Sequence, residues 1–201
     1  MRQKKLKYVN LEMLNTLGVI TDLEKIETKK PVYLEIGSGK GQFITSLAAS
    51  YPSNHYIALE VNMNVCYRIV EKKVDQKLDH LTIILGDANH VLDYFFEHSI
   101  QGIYLNFSDP WPKAKHHKRR LTFPKFLRMY QMLLEKDGFL QFRTDHKDFF
   151  DESLIDLETY FDTIEINRNL EVSNHMTEYE EKKRPFGPIY QWTGKVKEHV
   201  E

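Results

Sequence analysis

The amino-acid sequence predicts an α/β protein with a mostly parallel, doubly wound sheet that carries helices on both faces. Short apolar runs alternate five times with segments of helical spacing, and parallel strands require such crossovers. Several of the runs stop at glycine or at an acidic residue. The last two runs are joined by a long polar segment without a clear helical pattern, so we expect the last strand to enter antiparallel. The pattern therefore predicts seven strands, one of them antiparallel.

Each predicted strand is a short, mainly apolar run bounded by turn residues. We predict strands at residues 31–36, 55–60, 81–85, 100–107, 139–144, 161–167 and 189–196. The first run stops at a group of glycines and the third is closed by Gly86. Ligands of such sheets bind at the carboxyl ends of the strands, so the residues that follow each run are the candidates for function.

The segments between the strands have the spacing of amphipathic helices. We predict helices at 39–51, 62–78, 90–97 and 123–134, a further helix after Asp145, a loop at 109–122 and a polar connection at 169–188. Pro52 should end the first helix, and residues 136–138 should end the fourth. Asp145 is placed to cap the next helix, with Asp148 in its first turn.

The length of 201 residues favours one domain, with a basic N-terminal extension at 1–30 and a core at 31–197. No run approaches the roughly 20 apolar residues of a membrane span, and no signal-peptide pattern follows the N-terminus. The single cysteine, Cys66, excludes an internal disulfide and argues against a multi-cysteine zinc site. We expect a cytoplasmic monomer or homodimer without a membrane partner.

Basic residues are concentrated in two places, although the formal net charge is only −1. The first eleven residues contain Arg2, Lys4, Lys5 and Lys7. No acidic residue lies between positions 110 and 134, where the cations are Lys113, Lys115, Lys118, Arg119, Arg120, Lys125 and Arg128. These patches predict local binding of a polyanion; a solvated charged loop is the alternative. The histidines are scattered along the chain, so we expect no metal site.

A glycine-rich turn lies between the first strand and the first helix, where Gly37, Gly39 and Gly41 follow Glu35. Glycine at alternate positions lets the backbone turn tightly and leaves room for a ligand. Glu60 ends the second strand, where a carboxylate can accept hydrogen bonds from both ribose hydroxyls. Asp87 follows the third strand, where it could accept from an adenine amine. Each acid alone could be a surface group or a helix cap, but together they predict a nucleoside pocket.

The spacing of the glycines favours S-adenosylmethionine over a dinucleotide as the cofactor. A dinucleotide fingerprint needs its third glycine at position 42, where this chain has Gln42. The observed Gly-x-Gly-x-Gly is the commoner form in methyltransferases. Glu35 could meet the ammonium of the methionine part, and an acidic pocket suits a sulfonium cation better than a pyrophosphate.

The segment from Asn106 to Lys113 follows the fourth strand and reads Asn-Phe-Ser-Asp-Pro-Trp-Pro-Lys. We call this segment the reaction loop. Its two prolines stiffen it, and it begins at the edge of the sheet where ligands are expected to bind. Asp109 is placed at the carboxyl end, and Trp111 is an aromatic residue that could stack on a base. A rigid turn with a buried tryptophan is the alternative.

These motifs resemble those of the bacterial tRNA (guanine-N7)-methyltransferases of the TrmB type. The resemblance rests on the reaction loop with the Lys-Arg-Arg-Leu that follows it, on the glycine turn, on Arg-Thr-Asp at 143–145, on Thr-Glu-Tyr-Glu at 177–180 and on Gly-Pro-Ile-Tyr at 187–190. It covers residues 31–196, with the motifs in the expected order. It implies the Rossmann-like class I methyltransferase fold.

The resemblance also implies an activity and residue roles. The activity would be methylation of guanine N7 in tRNA, at guanine 46 of the variable loop, with S-adenosylmethionine as the donor. The cofactor contacts would be Glu35, Gly37, Gly39, Gly41, Glu60, Asp87 and Asp109, with Asp109 as the catalytic residue. The target nucleotide would be contacted by Lys113, Asp145, Thr177, Glu178, Tyr179 and Glu180. The tRNA backbone would be contacted by Lys115, His116, His117, Lys118, Arg119 and Arg120.

Three other functions fit parts of the pattern. A methyltransferase acting on DNA or protein would carry an Asp-Pro-Pro-Tyr type of loop, but here the second proline is displaced to position 112. A non-catalytic RNA-binding protein could keep the fold. The intact glycine turn and the three acids disfavour this alternative, because they indicate that cofactor binding has been kept. A nicotinamide dehydrogenase is disfavoured by Gln42.

Overall fold

The computed structural model describes residues 6–197 and contains, in that range, a seven-stranded sheet. The strands are β1 (Val32–Ile36), β2 (His55–Glu60), β3 (Leu81–Leu85), β4 (Ile100–Asn106), β5 (Leu134–Thr144), β6 (Phe161–Asn167) and β7 (Tyr190–Val196). Their order is β3-β2-β1-β4-β5-β7-β6. The pairs among β1 to β5 are parallel, and β7 runs antiparallel to both of its neighbours. The predicted sheet with one antiparallel strand is confirmed.

Helices cover both faces of this sheet. They are α1 (Leu11–Thr16), α2 (Gln42–Ser50), α3 (Met63–Asp75), α4 (Val91–Tyr94), α5 (Pro124–Leu133), α6 (Lys147–Tyr160) and α7 (Glu178–Lys183), with short 3-10 helices at Ala88–His90, Ala114–Arg119 and Arg184–Phe186. Successive strand residues point to opposite faces. Ile57 belongs to the core shared with α4, α5 and α6, whereas Tyr56 belongs to the core shared with α1, α2 and α3.

The N-terminal segment is packed onto the body of the protein within its described part. Val9, Leu14 and Val19 are buried in the second of these cores. Ile20 forms an isolated parallel bridge to Ile84 of β3. The cations Arg2, Lys4 and Lys5 lie outside the described residues.

The helix α5 ends earlier than predicted, because the chain becomes extended at Leu134 and enters β5 directly. Residues 136–138, predicted to end the helix, belong to this strand instead. They form an irregularity in its pairing with β4, where the partner changes from Leu134 opposite Ile100 to Phe139 opposite Gly102. A Cβ atom at Gly138 would lie 2.9 Å from the Glu135 carbonyl oxygen, so the chain is tight there.

The polar connection at 169–188 contains a helix that the sequence analysis missed. The Thr177 hydroxyl caps α7 by accepting from the Glu180 N–H. Acidic residues occupy the first turn and lysines the last, which suits the helix dipole. Thr-x-x-Glu is a capping-box pattern, so the signal was present in the sequence.

Asp145 does not cap α6 as predicted. His146 is the N-cap, and its side chain accepts from the Phe149 N–H, whereas Asp145 pairs with Lys183 at 3.2 Å. Asp148 lies in the first turn of α6, as predicted.

Candidate active site

A cavity of about 1310 Å³ opens at the carboxyl ends of β1, β2 and β4. Residues that follow these strands form one wall, and α3 and α7 supply others. Small-molecule sites usually measure roughly 300–1,000 Å³, so this cavity has room for a ligand and part of a second one. The convergence of the strand ends, predicted from the sequence, is confirmed for these three strands.

The glycine turn forms the floor of the cavity. Gly37, Gly39 and Gly41 have φ angles of 76°, 53° and 76°, in the left-handed region that favours glycine. A Cβ atom at Gly37 or Gly39 would meet nothing within 4 Å, so the space above them is open. A Cβ atom at Gly41 would lie 2.8 Å from Ile69, so that glycine permits close packing of the turn against α3.

Glu35 lies at the base of the cavity and is only 1% exposed. The Asn106 amide donates to Glu35 Oε1 at 2.8 Å. Among the described residues, Glu35 Oε2 and Asn106 Oδ1 are buried without a hydrogen-bond partner. Burial raises the pKa of Glu35 to about 8, against the lowering effects of the Asn106 hydrogen bond and of Arg143. Because unpaired buried polar atoms are costly, this pair is suited to a polar or cationic ligand.

Glu60 ties the glycine turn to the second strand. Its two carboxylate oxygens accept from the Gly39 N–H and the Asn62 N–H, both at 2.9 Å. Each oxygen keeps a further lone pair that a hydroxyl group can use. Burial raises the pKa of Glu60, its backbone hydrogen bonds oppose this rise, and the negative charge of Asp109 adds a smaller rise. Glu60 ends β2 and Asp109 follows β4, so both residues lie at the carboxyl edge of the sheet.

The loop that follows β4 has an unusual backbone. Phe107 and Trp111 have φ angles of 52° and 40°, which bulky residues rarely adopt. Such conformations are concentrated at functional sites. Asp109 is exposed on this loop and is not part of the cavity wall.

Trp111 and Asp87 are placed differently from the expectation. The Arg119 guanidinium lies 5.0 Å from the centre of the Trp111 ring, and His116 meets that ring edge-on at 5.8 Å. The ring is thus already engaged within the loop. Asp87 is exposed and caps the 3-10 helix at Ala88–His90 by accepting from the Asn89 N–H at 2.7 Å. It lies outside the cavity wall.

The helix α7 lies across the cavity and is held there by ion pairs. Glu178 pairs with Lys40 of the glycine turn at 2.9 Å and with Lys72 of α3 at 3.0 Å. Although burial opposes it, these two ammonium groups lower the pKa of Glu178 below its usual value. Tyr179 packs on Phe107, with 5.2 Å between the ring centres.

Glu180 holds α7 to the sheet and does not face the cavity. Its side chain is 0% exposed and lies between Arg143 of β5, at 2.8 Å, and Arg184. In this structure Glu180 therefore anchors α7, and its contact with the target nucleotide stays a prediction. Thr177, Glu178 and Tyr179 do line the cavity.

Exposed cations follow the reaction loop on a 3-10 helix. Lys113, Lys115, Lys118 and Arg119 are exposed, whereas His116 and His117 are half-buried. Arg120 differs from these cations, because it is only 8% exposed. Its guanidinium donates to the Pro110 carbonyl at 2.7 Å and to Glu152 at 2.6 Å, so it fastens the loop to α6. Its contact with the tRNA backbone stays a prediction.

Several residues of the cavity wall were not identified from the sequence. They include Lys40, Arg68, Lys72, Asn106, Phe107, Lys182, Lys183 and Phe186. Asn106 could have been found, because it begins the reaction-loop motif at a strand end. The cations of α3 look like an ordinary solvated helix face in the sequence, and only the position of α7 makes them part of a site.

Neither a metal cluster nor a membrane-spanning helix is found between residues 6 and 197. No group of three or more His, Cys, Asp or Glu side chains there could hold a metal ion. None of the helices in this range is long and apolar enough to span a membrane.

The sheet order, the antiparallel β7 and the cavity at the carboxyl edge are those of the Rossmann-like class I methyltransferase fold. A SAM dependent methyltransferase from Aquifex aeolicus has the same fold, with a TM-score of 0.60 at 12% identity over 92% of this chain and 88% of that chain. A methyltransferase family model, Methyltransf_4, matches residues 29–188.

Similar sequences identify the particular family. The tRNA (guanine-N(7)-)-methyltransferase of Latilactobacillus sakei subsp. sakei (strain 23K) is 44% identical over 167 residues, which cover 80% of this chain and 78% of the relative. The protein of that name from Exiguobacterium sibiricum is 39% identical over 83% of this chain and 81% of the relative. The chain belongs to the tRNA (guanine-N7)-methyltransferase family.

Proposed function

We propose that this protein methylates N7 of guanine in tRNA, at guanine 46 of the variable loop, with S-adenosylmethionine as the methyl donor. The observation that carries the proposal is the cavity, which contains an open glycine turn and a buried acid with one unpartnered oxygen. Phe107 of its wall belongs to the loop that leads to the exposed cations. The relatives' names support the substrate and the reaction.

The residues of the cavity fit the proposed cofactor. Glu35 Oε2 and Asn106 Oδ1 are buried acceptors that need a donor, and the methionine ammonium would be one. Gly37 and Gly39 leave open space, and Glu60 has lone pairs for ribose hydroxyls. When bound, S-adenosylmethionine supplies an electrophilic methyl group on a sulfonium centre. Asp109, which is near Glu60, would also contact the cofactor.

Methylation of guanine N7 requires the protein to orient the two reactants and does not require a general base. Guanine N7 carries a free lone pair at neutral pH, so no residue has to accept a proton. Holding two reactants in line can supply roughly 7–11 kcal/mol of the barrier in favourable cases. The purine gains positive charge as it reacts, and the carboxylates of Asp109 and Asp145 would stabilise that charge.

The substrate would be held by the exposed cations and by the residues of α7. Lys113, Lys115, Lys118 and Arg119 present charge beside the reaction loop, where they would contact phosphates. Guanine N7 is not on the Watson–Crick edge, so the base has to leave its tertiary contacts to react. Loop and single-stranded bases are the usual targets of RNA-binding proteins.

The test is a labelled-methyl assay on unmodified tRNA transcripts that carry either guanine or adenine at position 46. We expect label in the first transcript as 7-methylguanosine at position 46, and background label in the second. Equal labelling of both transcripts, or label in DNA or ribosomal protein only, would contradict the proposal. Asp109→Asn keeps the shape of the side chain and tests its charge, and we expect kcat to fall while tRNA binding is kept.

A further inference from the structure

Phe186 is the most exposed large hydrophobic side chain of the described residues, at 86%. It belongs to the wall of the cavity, at the end of the segment that follows α7. Scattered exposed hydrophobic residues are normal, so exposure alone says little. The position is informative, because an aromatic ring that faces water at the mouth of a nucleotide-sized cavity has an unused π-face.

The other aromatic rings of this region are already in contact with protein groups. Trp111 is covered by Arg119, and Tyr179 contacts both the Phe107 ring and the Lys183 ammonium, 5.2 Å from its centre in each case. Among the described residues, Phe186 contacts no ring and no cation. Its faces are therefore available to a ligand.

The backbone that leads into Phe186 is held in place by the residues before it. The Arg184 guanidinium donates to the Leu170 carbonyl at 2.7 Å and to the Glu171 carbonyl at 2.8 Å, and it also pairs with the buried Glu180. Proline precedes Phe186 at position 185, where it fixes φ. Because the backbone before Phe186 is already held, binding a ligand has to order mainly the side chain of Phe186.

We propose that Phe186 stacks on the guanine that enters the cavity and so positions it for methylation. This inference rests on the proposed function and adds a residue to it. Aromatic side chains are general stacking partners for bases. Guanine becomes cationic when N7 is methylated, and a cationic ring is attracted to an aromatic face. Phe186 therefore holds 7-methylguanine more tightly than guanine.

The test compares three variants of Phe186 with the parent in kcat/KM at limiting tRNA. Phe186→Ala should lower kcat/KM roughly 5- to 150-fold, the effect typical of removing a base stack. Phe186→Leu keeps apolar area without a π-face and should behave like the alanine variant, whereas Phe186→Trp should retain parental activity. S-adenosylhomocysteine affinity by calorimetry and the melting temperature should not change. Ile155→Ala, at another exposed hydrophobic residue outside the cavity wall, is the matched control.

A second readout does not depend on methyl transfer. The fluorescence of Phe186→Trp, corrected for the parent, should be quenched by 7-methylguanosine 5′-monophosphate at lower concentration than by guanosine 5′-monophosphate. Parental kcat/KM in the alanine variant, parental kcat/KM in the leucine variant, or no quenching by either nucleotide would overturn the inference. If the parent methylates no tRNA guanine but quenching is seen, the proposed function fails while the stacking role stands.

Discussion

Replacing Glu180 with glutamine removes the charge that two arginines share in the interior. The Glu180 side chain is 0% exposed and that of Arg143 is 6% exposed, so a buried guanidinium would lose its counter-charge. Breaking a buried ion pair by removing one partner costs roughly 3–5 kcal/mol. Arg143 keeps two hydrogen bonds to Gln191, at 3.1 and 2.7 Å, and Arg184 is partly exposed. We therefore expect Glu180→Gln to lower the free energy of unfolding by an amount at the lower end of this range, about 3 kcal/mol.

For a protein of this size, each kcal/mol lowers the melting temperature by roughly 2–4 °C, so Glu180→Gln should melt roughly 6–12 °C below the parent. The assay is thermal unfolding followed by circular dichroism at fixed protein concentration. Glu181→Gln is the control, because Glu181 is the exposed neighbour on the same helix turn and an exposed polar contact contributes about 0–1 kcal/mol. Equal melting of the two variants would refute the anchoring role of Glu180.

Two further predictions concern the cofactor and the tRNA. Burial raises the pKa of Glu35 to about 8. Below pH 8, a ligand ammonium that binds to Glu35 must therefore displace the proton of the Glu35 carboxyl group. S-adenosylhomocysteine affinity should therefore rise roughly tenfold per pH unit up to about pH 8 and then level off, and Glu35→Gln should flatten this profile in calorimetry. Replacing Lys118 and Arg119 with alanine should reduce the log–log salt dependence of tRNA binding, measured by filter binding, by about 0.7–0.9 for each phosphate that the variant no longer neutralises. An unchanged slope would remove these cations from the interface.

The strands of the sheet could be predicted because each buried parallel strand has a short continuous run of apolar residues in the sequence. β2, β3 and β6 have the predicted bounds. The turn at Gly37–Gly41 and the acids Glu35 and Glu60 could be placed at one edge because carboxyl ends of parallel strands converge. Asp87 fits the same rule in the sequence, yet its side chain caps its own 3-10 helix.

The roles that could not be predicted depend on partners far away in the chain. Glu180 meets Arg143 across 37 positions, and Arg120 meets Glu152 across 32. Nothing in the local pattern distinguishes the buried Arg120 from the exposed Arg119 that precedes it. The same holds for Phe186, which looks like part of a polar connection until α7 places it at the cavity. A run of basic residues thus predicts a basic surface, but only the tertiary structure decides which of these residues are exposed on it.

We expect the cavity at the ends of β1, β2 and β4 to hold the methyl donor. A crystal structure of the protein with S-adenosylhomocysteine would show whether it does. The ligand should lie over Gly37 and Gly39, with its ammonium at Glu35 and its ribose hydroxyls at Glu60. Ligand density at any other place, or a Glu35 carboxylate that stays unpaired beside the bound ligand, would contradict it.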